Sequence, residues 1–431
     1  MKRRPSKSAA LGLASGLCAL AQAPMLQDGA TALRQAQRTW VTGEEPLPPL
    51  AFPSFEVGLG GADSEGRYAP LIGGEGLGHG VQGWGVGLQG RYISGGWSVT
   101  ATALGLRDGR MTRGHLLRAG IAYQWESGWR LALEQQPSAW GSGLTGGDLL
   151  GDAARSFPRL SLSAPEASLP IGRWQAEVFA GLLEADRPIP TWISDHEARI
   201  TAQAGGQDLR RARLYGGRLR ASFGTLVEAG LGTIRLGDGE GSAGQAAPAS
   251  AARTMTLAEL KVRLPALARL AQARGAAIHL SRSAAPDSRS ITLVPARTLG
   301  GLQVVWERWD LGLEYAGTAS PGPAAFSEPA YLAGFSTFGD PLGPAFGREV
   351  ITRTVDLGLP MFLEGQGRLR AVRGTAIAPL TSGFWFVQGE AQWRTPTGRL
   401  GATVASRRDE FPGSPARWGW AFSVFQSFRV F

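Results

Sequence analysis

The feature of the sequence that most limits its fold is an alternation of apolar and polar residues with a period of two, which returns at intervals of about twenty residues. It is clearest over residues 97–103, where Trp97 and Val99 alternate with Ser98 and Thr100. A strand with this pattern has one apolar face and one polar face. Such strands can place the apolar face against lipid and the polar face toward a lumen.

Segments with strand character occur along most of the chain, and turn signals such as Ser94-Gly95-Gly96 separate them. Besides residues 97–103 they are 55–60, 81–92, 115–125, 129–135, 174–182, 214–223, 226–236, 301–306, 311–315, 350–357, 368–378, 385–393, 400–407 and 418–424. About 22 to 23 residues per strand and connection give an even count of about 16 to 18 strands. The predicted fold class is all-β, a closed antiparallel transmembrane β-barrel with a few short periplasmic or plug helices.

Residues 1–23 have the pattern of a secretory signal peptide. A basic head is followed by an apolar run over residues 9–21, and Ala21 and Ala23 frame an A-x-A cleavage site. After this segment no run of about 20 apolar residues could span a bilayer as a helix. We expect cleavage near Ala23, a mature chain that begins at Pro24, and a location in the outer membrane of a Gram-negative bacterium.

Removal of the signal changes both the cysteine content and the charge. Cys18 is the only cysteine, so disulfides and thiolate metal sites are excluded from the mature chain. A lipoprotein would need a small residue before this cysteine, where the chain has Leu17. The signal carries four cations and no acid, so its loss takes the net charge from +9 to +5. Apart from Lys261 the remaining cations are arginines, which suit acidic polysaccharide or lipid headgroups, although GC-rich coding explains them equally.

The chain before the barrel is predicted to be an N-terminal helical and Pro-rich segment, residues 24–53, with the barrel itself at 54–431. Residues 31–40 have apolar side chains at helical spacing, and the Pro-rich stretch 46–53 follows. The first of these is predicted to form a periplasmic helix.

A second predicted helix covers residues 265–274, with Pro265 in its first turn and Gly275 just beyond its end. This helix could plug the barrel or lie below it. Residues 237–250 and 281–290 are rich in small and polar side chains and are predicted to be loops.

The last segment of the chain has the pattern of a closing strand. Trp418 to Val424 alternate in the same way as the other strands, and the chain ends at Phe431. A terminal aromatic residue on such a strand resembles the signal read by the barrel-assembly machinery. Ser427 and Arg429 share the parity of Phe431, which requires either a bulge or a looser match to that signal. Trp and Tyr at strand ends are predicted to form interfacial girdles.

Motifs of enzymatic chemistry are weak. Residues 78–83 and 239–244 match G-x-G-x-x-G but lack the strand before and the helix after that a dinucleotide site needs. The four histidines have no metal-ligand spacing. Asp195-His196-Glu197 is the densest titratable cluster, so an outer-membrane hydrolase that depends on His196 is an alternative. We expect no catalytic residues, no cofactor and no metal.

Several stretches resemble the Wzi-type capsule assembly family of outer-membrane proteins. Gln136 to Gly143 is similar to the family's Trp-Gly-Pro-Gly segment, with Ser142 in place of the proline, and Tyr215 to Leu219 resembles one of its strands. The block Glu314 to Thr318, followed by Tyr331 and the glycines after it, is similar to the family's Glu-Tyr-x-x-Thr block and the turn beyond it.

The resemblance implies a barrel of about 18 strands with small periplasmic helices and a non-catalytic, lectin-like role in the assembly or surface attachment of capsular polysaccharide or exopolysaccharide. Trp140, Arg218 and Tyr331 are the weak motif candidates for polysaccharide contact. The other expected partners are outer-membrane lipid and, during biogenesis, the barrel-assembly machinery; no nucleic acid is expected, and the protein is expected to be a monomer. Two further alternatives remain: an anion-preferring porin with an Arg-lined lumen, and a soluble exported sandwich.

Overall fold

The structure is a computed structural model that describes most strands and their shorter turns. The described residues are 37–43, 54–66, 83–108, 111–136, 140–141, 143–144, 149–150, 157–183, 212–237, 253–286, 293–317, 336–337, 340–341, 350–361, 365–376, 382–395, 398–410 and 415–429. The predicted signal peptide, His196 and Tyr331 lie outside these ranges.

The strands and helices are numbered in chain order. The strands are β1 Ser54–Gly66, β2 Gly83–Ser94, β3 Trp97–Asp108, β4 Met111–Gln124, β5 Arg130–Gln135, β6 Arg159–Ser163, β7 Ala167–Leu169, β8 Gly172–Leu182, β9 Arg213–Phe223, β10 Val227–Gly237, β11 Arg253–Arg263, β12 Gly275–Pro286, β13 Leu293–Val305, β14 Asp310–Gly317, β15 Ser336–Thr337, β16 Asp340–Pro341, β17 Val350–Pro360, β18 Gln366–Ala376, β19 Ser382–Thr395, β20 Gly398–Glu410 and β21 Arg417–Arg429. The described helices are α1, residues 37–42, and α2, Pro265–Leu270.

Nineteen of these strands form a single antiparallel sheet, which closes because β1 pairs with both β2 and β21. The short strands β6 and β7 lie one after the other along β8 and occupy one position in the wall. Within the described part of the chain the wall therefore has 18 positions, which confirms the predicted closed barrel and its strand number.

The two ends of the barrel differ in the lengths of their connections. At one end the strands are joined by tight turns such as residues 95–96 and 224–226, or by α2. The opposite end carries the long connections 67–82, 136–158, 183–212, 238–252 and 318–349. Outer-membrane barrels have short turns on the periplasmic side and long loops outside, so the tight-turn end is assigned to the periplasm.

Side chains alternate between the two faces of the wall as the period-two pattern predicts. Leu131 and Leu133 on β5 are exposed on the outer face, whereas Ala132 and Glu134 are buried on the inner face. The exposed outer face is apolar along most strands, and the buried side chains of the inner face include many charged ones. This inside-out distribution is typical of a barrel surrounded by lipid.

Exposed aromatic side chains form a girdle at each end of this apolar band. The periplasmic girdle contains Tyr92, Trp97, Trp125, Trp129 and Trp309, and the outer girdle contains Tyr315, Trp385 and Trp418. Amphipathic rings favour the level of the lipid headgroups, so the girdles mark the two membrane interfaces. Among the described residues no helix is both long and apolar enough to span a bilayer.

Three local expectations are refined by the structure. Residues 281–286, predicted as part of a loop, belong to β12, so that prediction was wrong for this part. The helix expected over residues 265–274 ends at Leu270, because the chain turns at Gln272, with a φ of 49°, to start β12. β21 keeps an unbroken register through Arg429, so no bulge is present there and Ser427 faces the lumen.

Helix α1 is packed against the periplasmic end of the wall. Arg38 forms an ion pair with Asp310 at 3.2 Å and donates to the carbonyls of Trp306 and Glu307. The ring of Trp40 lies 4.9 Å from the guanidinium of Arg263. These contacts fix α1 beside the tight turns, and residues 31–36 of the predicted helix lie outside the described ranges.

The assignment of the outer face predicts a depth-dependent cost of charge. Val404 lies midway along β20 and is 56% exposed on that face. We expect Val404→Arg to lower the free energy of unfolding by about 2–4 kcal/mol, and Tyr92→Arg, in the periplasmic girdle, by about 0–1 kcal/mol. Urea unfolding in phospholipid vesicles measures both, and equal costs would contradict the assignment.

Candidate functional site

The connection between β5 and β6 enters the lumen instead of staying at the outer rim. Its Trp140 forms an isolated bridge with Leu150, through hydrogen bonds from Trp140 N to Leu150 O at 2.9 Å and from Leu149 N to Trp140 O at 3.0 Å. The side chain of Trp140 is only 1% exposed. It packs in a buried apolar cluster on the inner wall formed by Leu149, Leu150, Phe157, Phe179, Leu183, Ala212, Leu214, Ile234, Leu236, Met255 and Leu257.

Two of the three candidate residues meet in this cluster. The guanidinium carbon of Arg218, on β9, lies 5.9 Å from the centre of the Trp140 ring. On its other side Arg218 forms a buried ion pair with Glu259 of β11. Buried Arg–carboxylate pairs and cation–π contacts are strong where water is excluded. Arg218 therefore links the luminal connection to the wall.

Glycines on β10 provide the space for this arrangement. A Cβ atom on Gly230 would lie 2.4 Å from Glu259 Oε1, and one on Gly232 would lie 3.4 Å from the Trp140 ring. Glycine is the residue that permits such close approach of a side chain to the backbone. Gly230 and Gly232, a Gly-x-Gly pair on β10, are therefore the sequence feature that could have indicated this site, and sequence reasoning did not single them out.

The same connection makes a second contact with the wall, four strands from β10. The backbone N–H of Leu144 donates to Glu314 on β14, and the Leu144 side chain would lie 2.7 Å from a Cβ on Gly312. Glu314 also lies 3.6 Å from Nε2 of His279 on β12. Two anchor points, at β9–β11 and at β14, hold the described part of the connection inside the lumen. There it takes up part of the cross-section of the lumen.

Elsewhere on the inner wall, arginines pair with carboxylates. Asp356 lies 2.6 Å from Arg368 and 3.0 Å from Arg370, and Arg368 also reaches Asp310 at 2.9 Å. The network continues through Asp310 to Arg38 of α1. These pairs compensate the positive charge of this part of the lumen and join the inner face of the wall to the periplasmic helix.

Trp140 and Arg218, two of the candidates for polysaccharide contact, are both buried. In this structure both side chains hold the luminal connection, and contact with polysaccharide by either stays a prediction. Tyr331, the third candidate, lies outside the described ranges, as does His196 of the hydrolase alternative. Within the described ranges no group of three or more His, Cys, Asp or Glu side chains is placed to hold a metal ion.

The fold and the luminal connection define the class of protein as an outer-membrane β-barrel. Comparison with known proteins finds no matching family model and no matching curated protein. Among solved structures the chain is similar to Wzi from Escherichia coli, described as an outer-membrane protein involved in Group 1 capsule assembly and a carbohydrate-binding β-barrel. The TM-score is 0.63 at 15% identity, covering 96% of this chain and 92% of Wzi.

The chain is also similar to Pseudomonas aeruginosa outer-membrane proteins of a second kind. OpdK with bound vanillate has a TM-score of 0.53 at 13% identity and covers 88% of this chain and 99% of that one. OccK3 has a TM-score of 0.50 at 11% identity and covers 88% and 96%. At these identities the likenesses establish the fold, and they confirm at the level of fold the Wzi-type resemblance of the sequence motifs.

The buried pair of Arg218 and Glu259 predicts a large and partner-dependent stability effect. Arg218→Leu leaves the Glu259 carboxylate without this partner and should lower the free energy of unfolding by about 3–5 kcal/mol, whereas Arg218→Leu/Glu259→Leu should recover most of the loss. The exposed pair of Arg173 and Glu166 is the control, because Arg173→Leu should cost about 0–1 kcal/mol. Urea unfolding in vesicles measures all three; similar losses for Arg218→Leu and Arg173→Leu would contradict the buried-pair interpretation.

Proposed function

We propose that this protein is a non-catalytic, lectin-like outer-membrane protein that acts in the assembly or surface attachment of a capsular polysaccharide or exopolysaccharide. The observation that carries the proposal is the luminal connection, anchored by Trp140 at β9–β11 and by Leu144 at β14. A lumen narrowed by its own chain suits a protein whose working surface is the outer rim. The likeness to a carbohydrate-binding barrel over 96% of the chain supports the same function.

The rim is the part of the molecule that can reach exported polymer. The strand ends that the long connections join lie at this end of the barrel, and sugar recognition by proteins uses aromatic faces together with charge-assisted hydrogen bonds. Arginine side chains suit the carboxylate or pyruvyl groups of an acidic polysaccharide. We place the polysaccharide-binding surface on these connections, with Trp140, Arg218 and Tyr331 as the motif candidates and the first two acting by positioning the connection between β5 and β6.

A strain lacking this gene tests the proposed function. We expect total polymer synthesis to be unchanged while most of the polymer moves from the cell-bound fraction to the medium, because the surface attachment is lost. Cell-bound, shed and total polymer are measured together, and complementation with the wild-type gene should restore retention. Unchanged retention in the deletion strain would reject the proposal.

The second candidate is a diffusion porin, and the likeness to OpdK favours it. The two functions differ in conductance, since a lumen held partly closed by its own connection should pass little current. We expect little conductance from the wild-type protein in planar bilayers. As a positive control, a variant in which a Gly-Ser linker of equal length replaces residues 140–150 should conduct several-fold more, because both anchors are lost. Open-channel currents from the wild type would favour the porin.

A further inference from the structure

The outer face of the wall carries a row of arginines and aromatic rings at the level of the outer girdle. Cross-strand register joins Tyr315 to Arg353, Arg353 to Arg373, and Arg373 to Trp385. The row continues from Trp385 to Arg408 and from Arg408 to Trp418. These six residues lie on six neighbouring strands, from β14 to β21, and are here called the outer-wall arginine patch.

The side chains of the patch face outward. Arg353 lies between the buried residues Thr352 and Thr354, and Arg408 is exposed beside the buried Asp409. Arg373 stacks on Trp385 at 4.8 Å, and Arg408 stacks on Trp418 at 5.3 Å. The rings thus hold two guanidinium groups against the outer wall, at the lipid interface.

The patch carries an excess of positive charge. Glu410 pairs with Arg373 at 2.9 Å and approaches Arg408 at 4.0 Å. Among the described residues Arg353 has no ion-pair partner, and it stands directly opposite Arg373 in the register. The three arginines of the patch and the neighbouring Glu410 together carry a net charge of +2. Like charges directly opposite each other destabilise a sheet unless an anion lies between them.

An apolar depression lies immediately below the arginines, toward the middle of the membrane. Its volume is about 500 Å³, and its lining includes Leu313, Val355, Ala371, Arg353, Arg373 and Trp385. The guanidinium groups therefore stand above a surface that suits a hydrocarbon chain. A lipid with an anionic headgroup would match both features, the headgroup at the arginines and an acyl chain in the depression.

We propose that the outer-wall arginine patch is a binding site for the phosphorylated, acylated glycolipid of the outer leaflet. Its phosphates accept hydrogen bonds from Arg353, Arg373 and Arg408, and one acyl chain lies in the depression over Leu313 and Val355. The patch lies at the outer girdle and not at the periplasmic one, so it meets the leaflet in which this glycolipid is found. The site is separate from the rim proposed to bind polysaccharide.

The test uses the full mature chain in detergent micelles and native mass spectrometry. The probes are a bis-phosphorylated lipid A and its dephosphorylated form with the same acyl chains. We expect one lipid bound per protein and a preference of about tenfold for the phosphorylated probe, the effect of roughly one charge-assisted hydrogen bond. Arg353→Gln/Arg373→Gln/Arg408→Gln should abolish this preference, and Arg353→Gln alone should weaken it.

The control variant is Arg213→Gln/Arg235→Gln/Arg282→Gln, which removes three exposed, outward-facing arginines on β9, β10 and β12. It removes the same number of positive charges as the patch variant but alters no cross-strand arginine pair. The preference for the phosphorylated probe should therefore stay at the wild-type value. Heat-dependent electrophoretic mobility verifies that each variant is folded. Equal loss in both triple variants, equal binding of the two probes by the wild type, or a protein dimer in place of a lipid complex would overturn the proposal.

Discussion

The rest of the structure depends on the pairing of β1 with β21. In the hydrocarbon interior of a membrane an unpaired backbone N–H or C=O has no water to bond, so a sheet can span it only if no edge remains. The register between these strands is continuous from Glu56 opposite Arg429 to Gly66 opposite Gly419. Closure fixes which face of every strand meets lipid. It also creates an interior in which a long connection and a set of charged side chains can be buried.

That interior explains how the barrel's parts act together. The connection between β5 and β6 is held by a cation–π contact and a buried ion pair at β9–β11 and by Glu314 at β14. The ion pairs of Asp356, Arg368 and Asp310 then lead to α1 at the periplasmic end. The charged residues of these pairs would be costly in lipid, and here each of them has an oppositely charged partner. The described part of the β5–β6 connection thus occupies the lumen, and α1 is bound to the wall at the periplasmic end.

The sequence predicted the strands well wherever the inner face is polar and the outer face apolar, as on β3, β8 and β21. It failed on β11, because Met255 and Leu257 face inward to pack near Trp140, and apolar residues on both faces erase the alternation. It failed on the second half of β12, where Arg282 faces outward between small serines. The contact between Trp140 and Arg218 was beyond sequence reasoning for another reason: each was chosen from a separate motif, and they meet only because the β5–β6 connection folds over the inner face of β9.

We propose that the outer rim binds exported polysaccharide, and binding to the purified protein tests this directly, without the other effects of a gene deletion in a whole cell. The purified protein in detergent, immobilised through its periplasmic end, is titrated with polysaccharide prepared from its own strain, and surface plasmon resonance records the response. Neutral dextran serves as the control polymer. We expect saturable binding to the strain's own polymer that dextran neither reproduces nor displaces. No binding, or equal binding of the two polymers, would contradict it.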